Sequence, residues 1–170
     1  MILEEFLTSD DRKRVSRAAE VDALRDRDAL QDAALLDIRV NGVWSSAWLL
    51  LDCKGALDIR EGNTAVLVVH GLAELSWVSE NDPPGRLNRA VESWTPTIGD
   101  PGWKLSALLW RNATLTVAAR SGEFYVGDVP GGDDPPPDFG VDDDATVRAG
   151  LASWASEFSP HYCSVLDRRP

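Results

Sequence analysis

Two cysteines and two histidines are all that 170 residues supply for thiol or imidazole chemistry. Cys53 and Cys163 make no framework of disulfide staples in a chain this long, and in a reducing compartment both are expected as free thiols. There is no C-x-x-C pair, only the loose His161-x-Cys163, so Cys53, His70, His161 and Cys163 lack the spacing of a zinc site. No G-x-S-x-G elbow occurs, and a nucleophilic hydrolase needs a nucleophile, a base and an orienting acid together. His70 ends an apolar run beside Gly71, where a structural histidine bonded to backbone is a simpler reading than a general base. Cys53 reads as a small buried hydrophobe rather than a catalytic thiol. Gly131-Gly132 runs into Asp133-Asp134, which would repel a phosphate. Among 28 acidic residues, no pair stands out as the facing carboxylates of a glycosidase. The expectation is a protein without catalysis, metal or cofactor.

Long hydrophobic runs are also missing. The longest, Ala47–Leu51 and Ala65–Val69, have five residues each, whereas a membrane-spanning helix needs roughly 20. The first residues, Met1 to Leu7, are acidic where a secretory signal would be basic, so a cytoplasmic location is expected. Lysine is scarce: fourteen arginines accompany three lysines. With abundant Ala, Gly, Asp and Pro, that bias is typical of GC-rich bacterial genes. Hydrophobic residues make up 44% of the chain, enough for a substantial core in a single domain spanning 1–170.

What the chain does have is negative charge, and it is concentrated. Between Glu123 and Asp144 lie eight acidic residues and no basic one, against a net charge of −11 for the whole. The stretch also holds Pro130 and Pro135–Pro137. Isolated carboxylates are too costly to bury, so residues 130–143 are expected as an exposed acidic loop. Its aspartates lack the alternate spacing, central glycine and closing glutamate of a calcium loop. Such a protein should repel nucleic acid, whose affinity rests on cation-to-phosphate contacts, and attract basic partners.

Periodicity supplies the scaffold. Residues 9–33 read as a helical region, with Ser9 as cap, Asp10 and Asp11 in the first turn, and a thin apolar stripe that would break at Glu20–Asp22. From Leu35 the period becomes two, and Asn41-Gly42 signals a hairpin into Val43–Asp52. Further strands are expected at Gly55–Arg60, Thr64–His70, Leu72–Ser79, Lys104–Arg111, Ala113–Arg120 and Glu123–Val129. Ser121-Gly122 would be the turn of a hairpin joining the last two. Residues 80–102, rich in Pro and Gly, read as loop with a short helix at Arg86–Ser93. Val147, Leu151, Trp154, Ala155 and Phe158 make one apolar face of a helix over 144–158, ended by Pro160. His161–Leu166 reads as a last edge strand. The sum is an α+β fold: a mainly antiparallel sheet of about seven or eight strands, curved or sandwich-like, over 35–129. The N-terminal helical region and a C-terminal amphipathic helix would pack on it.

Trp77 falls within the strand expected at Leu72–Ser79, and six of the seven tryptophans remain to be placed. Trp44 and Trp48 would share one strand face, and with Trp110 and Trp154 they read as core. Trp94 and Trp103 flank a turn-rich stretch, where they either pin the loop or serve as exposed anchors. The functional expectation is an acidic binding protein, inhibitor- or immunity-like, that captures a basic protein partner. Asp133, Asp134, Asp138, Asp142, Asp143 and Asp144 would form the surface, with Trp94 or Trp103 as anchor. The alternatives are a small-ligand-binding β-rich domain with aromatic walls and a subunit of a larger assembly. Oligomeric state is not readable from the residues.

Overall fold

Two kinds of strand pattern recur along the chain, and they fold into two kinds of sheet. Alternating strands bury one face; continuously apolar strands need cover on both. The computed structural model describes residues 1–18, 20–80, 85–99, 102–131 and 134–167. It contains β1 (Ala34–Asn41), β2 (Ser46–Asp52), β3 (Thr64–His70), β4 (Glu74–Ser79), β5 (Val91–Ile98), β6 (Trp103–Leu109), β7 (Ala113–Ala119), β8 (Ser121–Asp128) and β9 (Ser159–Leu166). Two short helices, α1 (Leu3–Thr8) and α2 (Asp144–Ala149), and a 3-10 turn at Asp10–Arg14 complete the elements. One sheet has the order β1-β2-β3-β8-β9 and the other β4-β7-β6-β5, with antiparallel pairing between strand neighbours.

In β6 and β7 alternate residues are buried, so the four-stranded sheet has one face in the core and one toward solvent. In β2 and β3 nearly every residue is buried. Leu49, Leu51, Leu67 and Val69 point into the inter-sheet core, where they join Leu105, Leu109, Leu115 and Val117. Leu50, Val66, Val68 and Tyr125 point the other way, into a second core with Leu3, Phe6, Leu7, Trp154 and Phe158. The five-stranded sheet is therefore the middle layer of three. Along one side the two sheets are laced together: Leu35 N donates to Arg89 O at 3.0 Å and Val91 N to Ala33 O at 2.8 Å.

The expected antiparallel sheet body is present, with nine strands in two sheets among the described residues instead of seven or eight. Several elements differ, each for a local reason. Among the described residues of 9–33 there is no helix beyond the 3-10 turn that Ser9 caps by accepting from Asp11 N. Asp22 and Asp26 use their carboxylates on the amides of Leu24 and Asp22, a local bond that competes with helix. Asp28 and Asp32 adopt φ of 57° and 63°, which Asp tolerates and a helix does not.

Residues 80–102 contain β5. Its Pro96 is accommodated because β5 is an edge strand, where a missing N–H breaks no ladder on the open side. No helix forms at Arg86–Ser93, and Gly55–Arg60 is not a strand. Ser121-Gly122 is no hairpin turn: β7 and β8 belong to different sheets, and the chain crosses between them at Arg120. The C-terminal helix stops at Ala149 rather than continuing to 158. Beyond it the backbone bonds to the N-terminus instead, with Leu3 N to Ser156 O at 2.9 Å, Glu4 N to Trp154 O at 3.0 Å and Phe158 N to Met1 O at 2.9 Å. Trp154 and Phe158 still reach the core, but from a looped segment. The edge strand expected at His161–Leu166 is β9. No helix among the described residues is long and apolar enough to cross a membrane.

Candidate functional site

The acidic segment leaves β8 at Asp128 and crosses the end of the sandwich that also carries the β2–β3 connection. Asp134, Asp138, Asp143 and Asp144 are exposed and Asp142 is half-buried; Asp133 lies outside the described residues. The segment is held by its own side chains. Asp138 accepts from the amides of Gly140 and Val141, at 2.8 and 3.2 Å, and Asp142 accepts from Asp138 N at 2.8 Å. Asp143 caps α2 by accepting from Thr146 N at 2.7 Å. Hydrogen bonds from Thr146, first from its amide and then from its side chain, keep the Asp143 carboxyl below the ordinary carboxylate range.

Body contacts fix the segment further. Arg86 donates to Asp142 O at 2.6 Å and pairs with Asp144 at 3.3 Å. Lys54 Nζ donates to Gly150 O at 3.3 Å, and Pro137 packs on Gly150. What results is an acidic ridge with a defined shape. Among the described residues no group of three or more His, Cys, Asp or Glu is placed to hold a metal ion.

The two tryptophans named as possible anchors do not belong to this surface. Trp94 and Trp103 are each 1% exposed. Their indole N–H groups donate to Ala23 O at 2.8 Å and Leu24 O at 2.9 Å, pinning residues 23–24 onto the sandwich. Buried so completely, the two tryptophans are not exposed anchors, and they do not hold down a loop of their own either: both stand on strands, β5 and β6, and the backbone they bind is that of Ala23 and Leu24. Trp44 and Trp110, expected in the core, are 76% and 50% exposed. Trp44 sits in the β1–β2 turn and Trp110 in the β6–β7 turn, where no opposing layer covers them. The Asn-Gly signal beside Trp44 already marked a turn, and that was the clue to its exposure. Trp48 and Trp154 do pack together, with ring centroids 5.9 Å apart.

The histidines and cysteines are dispersed. Cys53 is buried in the inter-sheet core, and burial first, then the charge of Asp52, pushes its thiol far up. Cys163 donates to Val15 O at 2.8 Å on the opposite face of the middle sheet. His161 pairs with Asp128 at 2.8 Å. His70 finds a carboxylate, not backbone: its Nε2 lies 3.2 Å from Glu123. Glu123 also accepts from Tyr125 OH at 2.6 Å and faces Arg12 at 3.6 Å.

This cluster ties the N-terminal 3-10 turn to β8. Burial pushes Glu123 upward, but hydrogen bonds from His70 and Tyr125 and the charge of Arg12 outweigh it and leave its pKa below the ordinary 4.5. A carboxyl whose folded pKa is depressed stabilises the fold above its unfolded value and loses that contribution as pH falls through the folded value. Denaturation midpoints should therefore drop as pH is taken below 4.5, and Glu123→Gln should flatten that part of the profile. Asp52 has the opposite sign, since burial raises its pKa despite the Lys54 amide and charge, so only the difference between parent and variant isolates Glu123. Parallel profiles for the two proteins would contradict the assignment.

No protein-family model matches the chain, and no curated protein matches it either.

Proposed function

We propose that the chain is a non-catalytic binding protein whose acidic ridge receives a basic protein partner, in the manner of an inhibitor or immunity protein. One observation carries the reading: the exposed aspartates stand on a segment held in shape by capping bonds and by contacts from Arg86, Lys54 and Pro137. A fixed array of like charge repels itself and is costly to assemble. Complementary charge accelerates encounter and excludes wrong partners, and an array already ordered loses less freedom on binding. Trp94 and Trp103 take no part. Nucleic acid is an unsuitable partner for the same electrostatic reason.

The test is affinity capture followed by titration of the captured protein, using a variant with Asp134, Asp138, Asp143 and Asp144 changed to asparagine. Asparagine keeps the side-chain oxygens that accept the Gly140 and Thr146 amides, and it is as good a helix cap as aspartate. The local structure should persist while the charge is lost. Binding to a basic partner should weaken by roughly tenfold or more in the variant, and by added salt in the parent. A partner bound equally well by both, or without regard to salt, would rule the ridge out as the binding surface.

A further inference from the structure

The opposite end of the sandwich presents two cations, Lys104 and Arg120, around a groove. There the chain crosses between sheets twice, at Gly71–Ala73 from β3 to β4 and at Arg120 from β7 to β8. The β5–β6 hairpin closes beside these crossings, with Gly99 N donating to Gly102 O at 2.9 Å. Between them lies a groove of about 730 Å³, a size typical of small-molecule sites. Its walls are mainly apolar or small: Leu72, Ala73, Ala118, Ala119 and the edge of Trp103. Lys104 and Arg120 supply its charge, and among the described residues no carboxylate lines it.

Two details keep the groove open. Gly71 has φ of 64°, and a Cβ there would fall 2.8 Å from Arg120 Cγ, so the glycine gives the arginine stem its place. At Gly102 a Cβ would meet Ala119 O at 2.3 Å, so the hairpin can approach Ala119 this closely only with glycine.

Like Arg60, Arg111 and Arg148, these two cations have no ion pair among the described residues. Elsewhere Arg12, Arg25, Arg39, Lys54 and Arg86 sit against carboxylates. Lys104 and Arg120 have no ion-pair or side-chain hydrogen-bond partner among the described residues. By register Glu74 faces Ala118 from β4 while Lys104 faces Ala118 from β6. Two strand spacings, roughly 9–10 Å, separate their backbones, and their side chains do not form an ion pair in the structure. In a molecule of net charge −11, unpaired cations beside an apolar trough have a counter-charge to find.

We infer that this groove is a binding site for a small organic anion with an apolar body. Its carboxylate or phosphate head would pair with Lys104 and Arg120, and its body would lie along Leu72–Ala73 and Ala118–Ala119. Arg120 is suited to a planar, two-point contact with such a head, and Lys104 to a point charge. Ser45 and Thr97 add hydroxyl groups at the rim. The inference stands apart from the acidic ridge, which lies at the far end of β3.

Octanoate is a suitable probe, with octanamide as its uncharged counterpart and inorganic phosphate as a head without a body. Trp103 fluorescence and backbone amide shifts report on the groove. Octanoate should saturate, moving the amides of Leu72, Ala73 and Ala118–Arg120. Octanamide and phosphate should each bind roughly tenfold more weakly or worse, and K104Q/R120Q should weaken octanoate by a similar factor. Both side chains are exposed, so the double variant should keep the parent's circular dichroism and denaturation midpoint. The asparagine variant of the acidic ridge should bind octanoate like the parent, which separates this inference from the proposed function. Failure of octanoate to saturate at millimolar concentration would overturn it. So would equal binding of octanamide or phosphate, or unchanged binding by K104Q/R120Q.

Discussion

Replacing Trp94 or Trp103 with alanine should cost the fold about 3–5 kcal/mol in each case, the range for deleting a large aromatic from a packed core. Total stabilities of single domains run to about 5–15 kcal/mol, so either change should leave little margin. Both rings are 1% exposed, and both belong to the core between the sheets. The loss extends beyond packing. Ala23 O and Leu24 O each lose a buried donor, and an unpaired buried carbonyl costs about 1–3 kcal/mol. Trp94→Phe separates the two effects, because it keeps an aromatic ring while removing the donor. Urea midpoints measure the sum, and amide exchange over 21–33 shows where it is felt. Those residues should exchange faster in either alanine variant, ahead of β3. Midpoints within about 1 kcal/mol of the parent, a small fraction of the expected cavity cost, would mean the pinning is not structural.

Phe6→Ala should have an effect of similar size, about 3–5 kcal/mol, but with a different distribution. Helix α1 has six residues, far too few to persist alone in water. It is held by burial of Leu3, Phe6 and Leu7 against the middle sheet. Phe6 sits at the centre of that contact, edge-on to Tyr125 with centroids 5.1 Å apart and beside Phe158 at 5.5 Å. Without it the N-terminal segment should come away together with residues 154–158, whose backbone bonds it shares. The inter-sheet core would remain. Amide exchange should accelerate at Leu3–Ser9 and Trp154–Phe158 while Leu67 and Leu115 stay protected. A uniform change across all of these would show that the two cores melt as one unit.

Legibility in the sequence followed the physics of each element. Strands with strict alternation, such as β6 and β7, or with a bounded apolar run, such as β3, were readable because burial alone decides them. The antiparallel character followed from the turn signals between them. The assignment of β7 and β8 to separate sheets was not readable, because a Ser-Gly step serves a sheet crossing as well as a hairpin. The helix expected at 144–158 had a sound apolar face, yet its last turns were captured by hydrogen bonds to residues 1–4, a partner distant in sequence. In 20–33 the thin stripe hinted at weakness, and the local carboxylate bonds of Asp22 and Asp26 completed the departure. For the surface, charge composition located the acidic ridge but carried no information on what fixes it. Arg86 and Lys54 come from elsewhere in the chain, and the groove holding Lys104 and Arg120 exists only once two sheet crossings meet.

Strand order also governs the chain as it is being made. The four-stranded sheet is complete once β7 has emerged, since β4 to β7 follow one another in sequence. The middle sheet is not. Strand β3 pairs with β2 on one side but waits for β8 on the other. Until then its far edge carries open amides and carbonyls along Thr64–His70, a stretch without proline, aspartate, glutamate, lysine or arginine. Such edges recruit other strands, including those of neighbouring chains. Non-local pairing of this kind forms slowly. The nascent chain is therefore most vulnerable to aggregation at the strand that ends up most thoroughly enclosed.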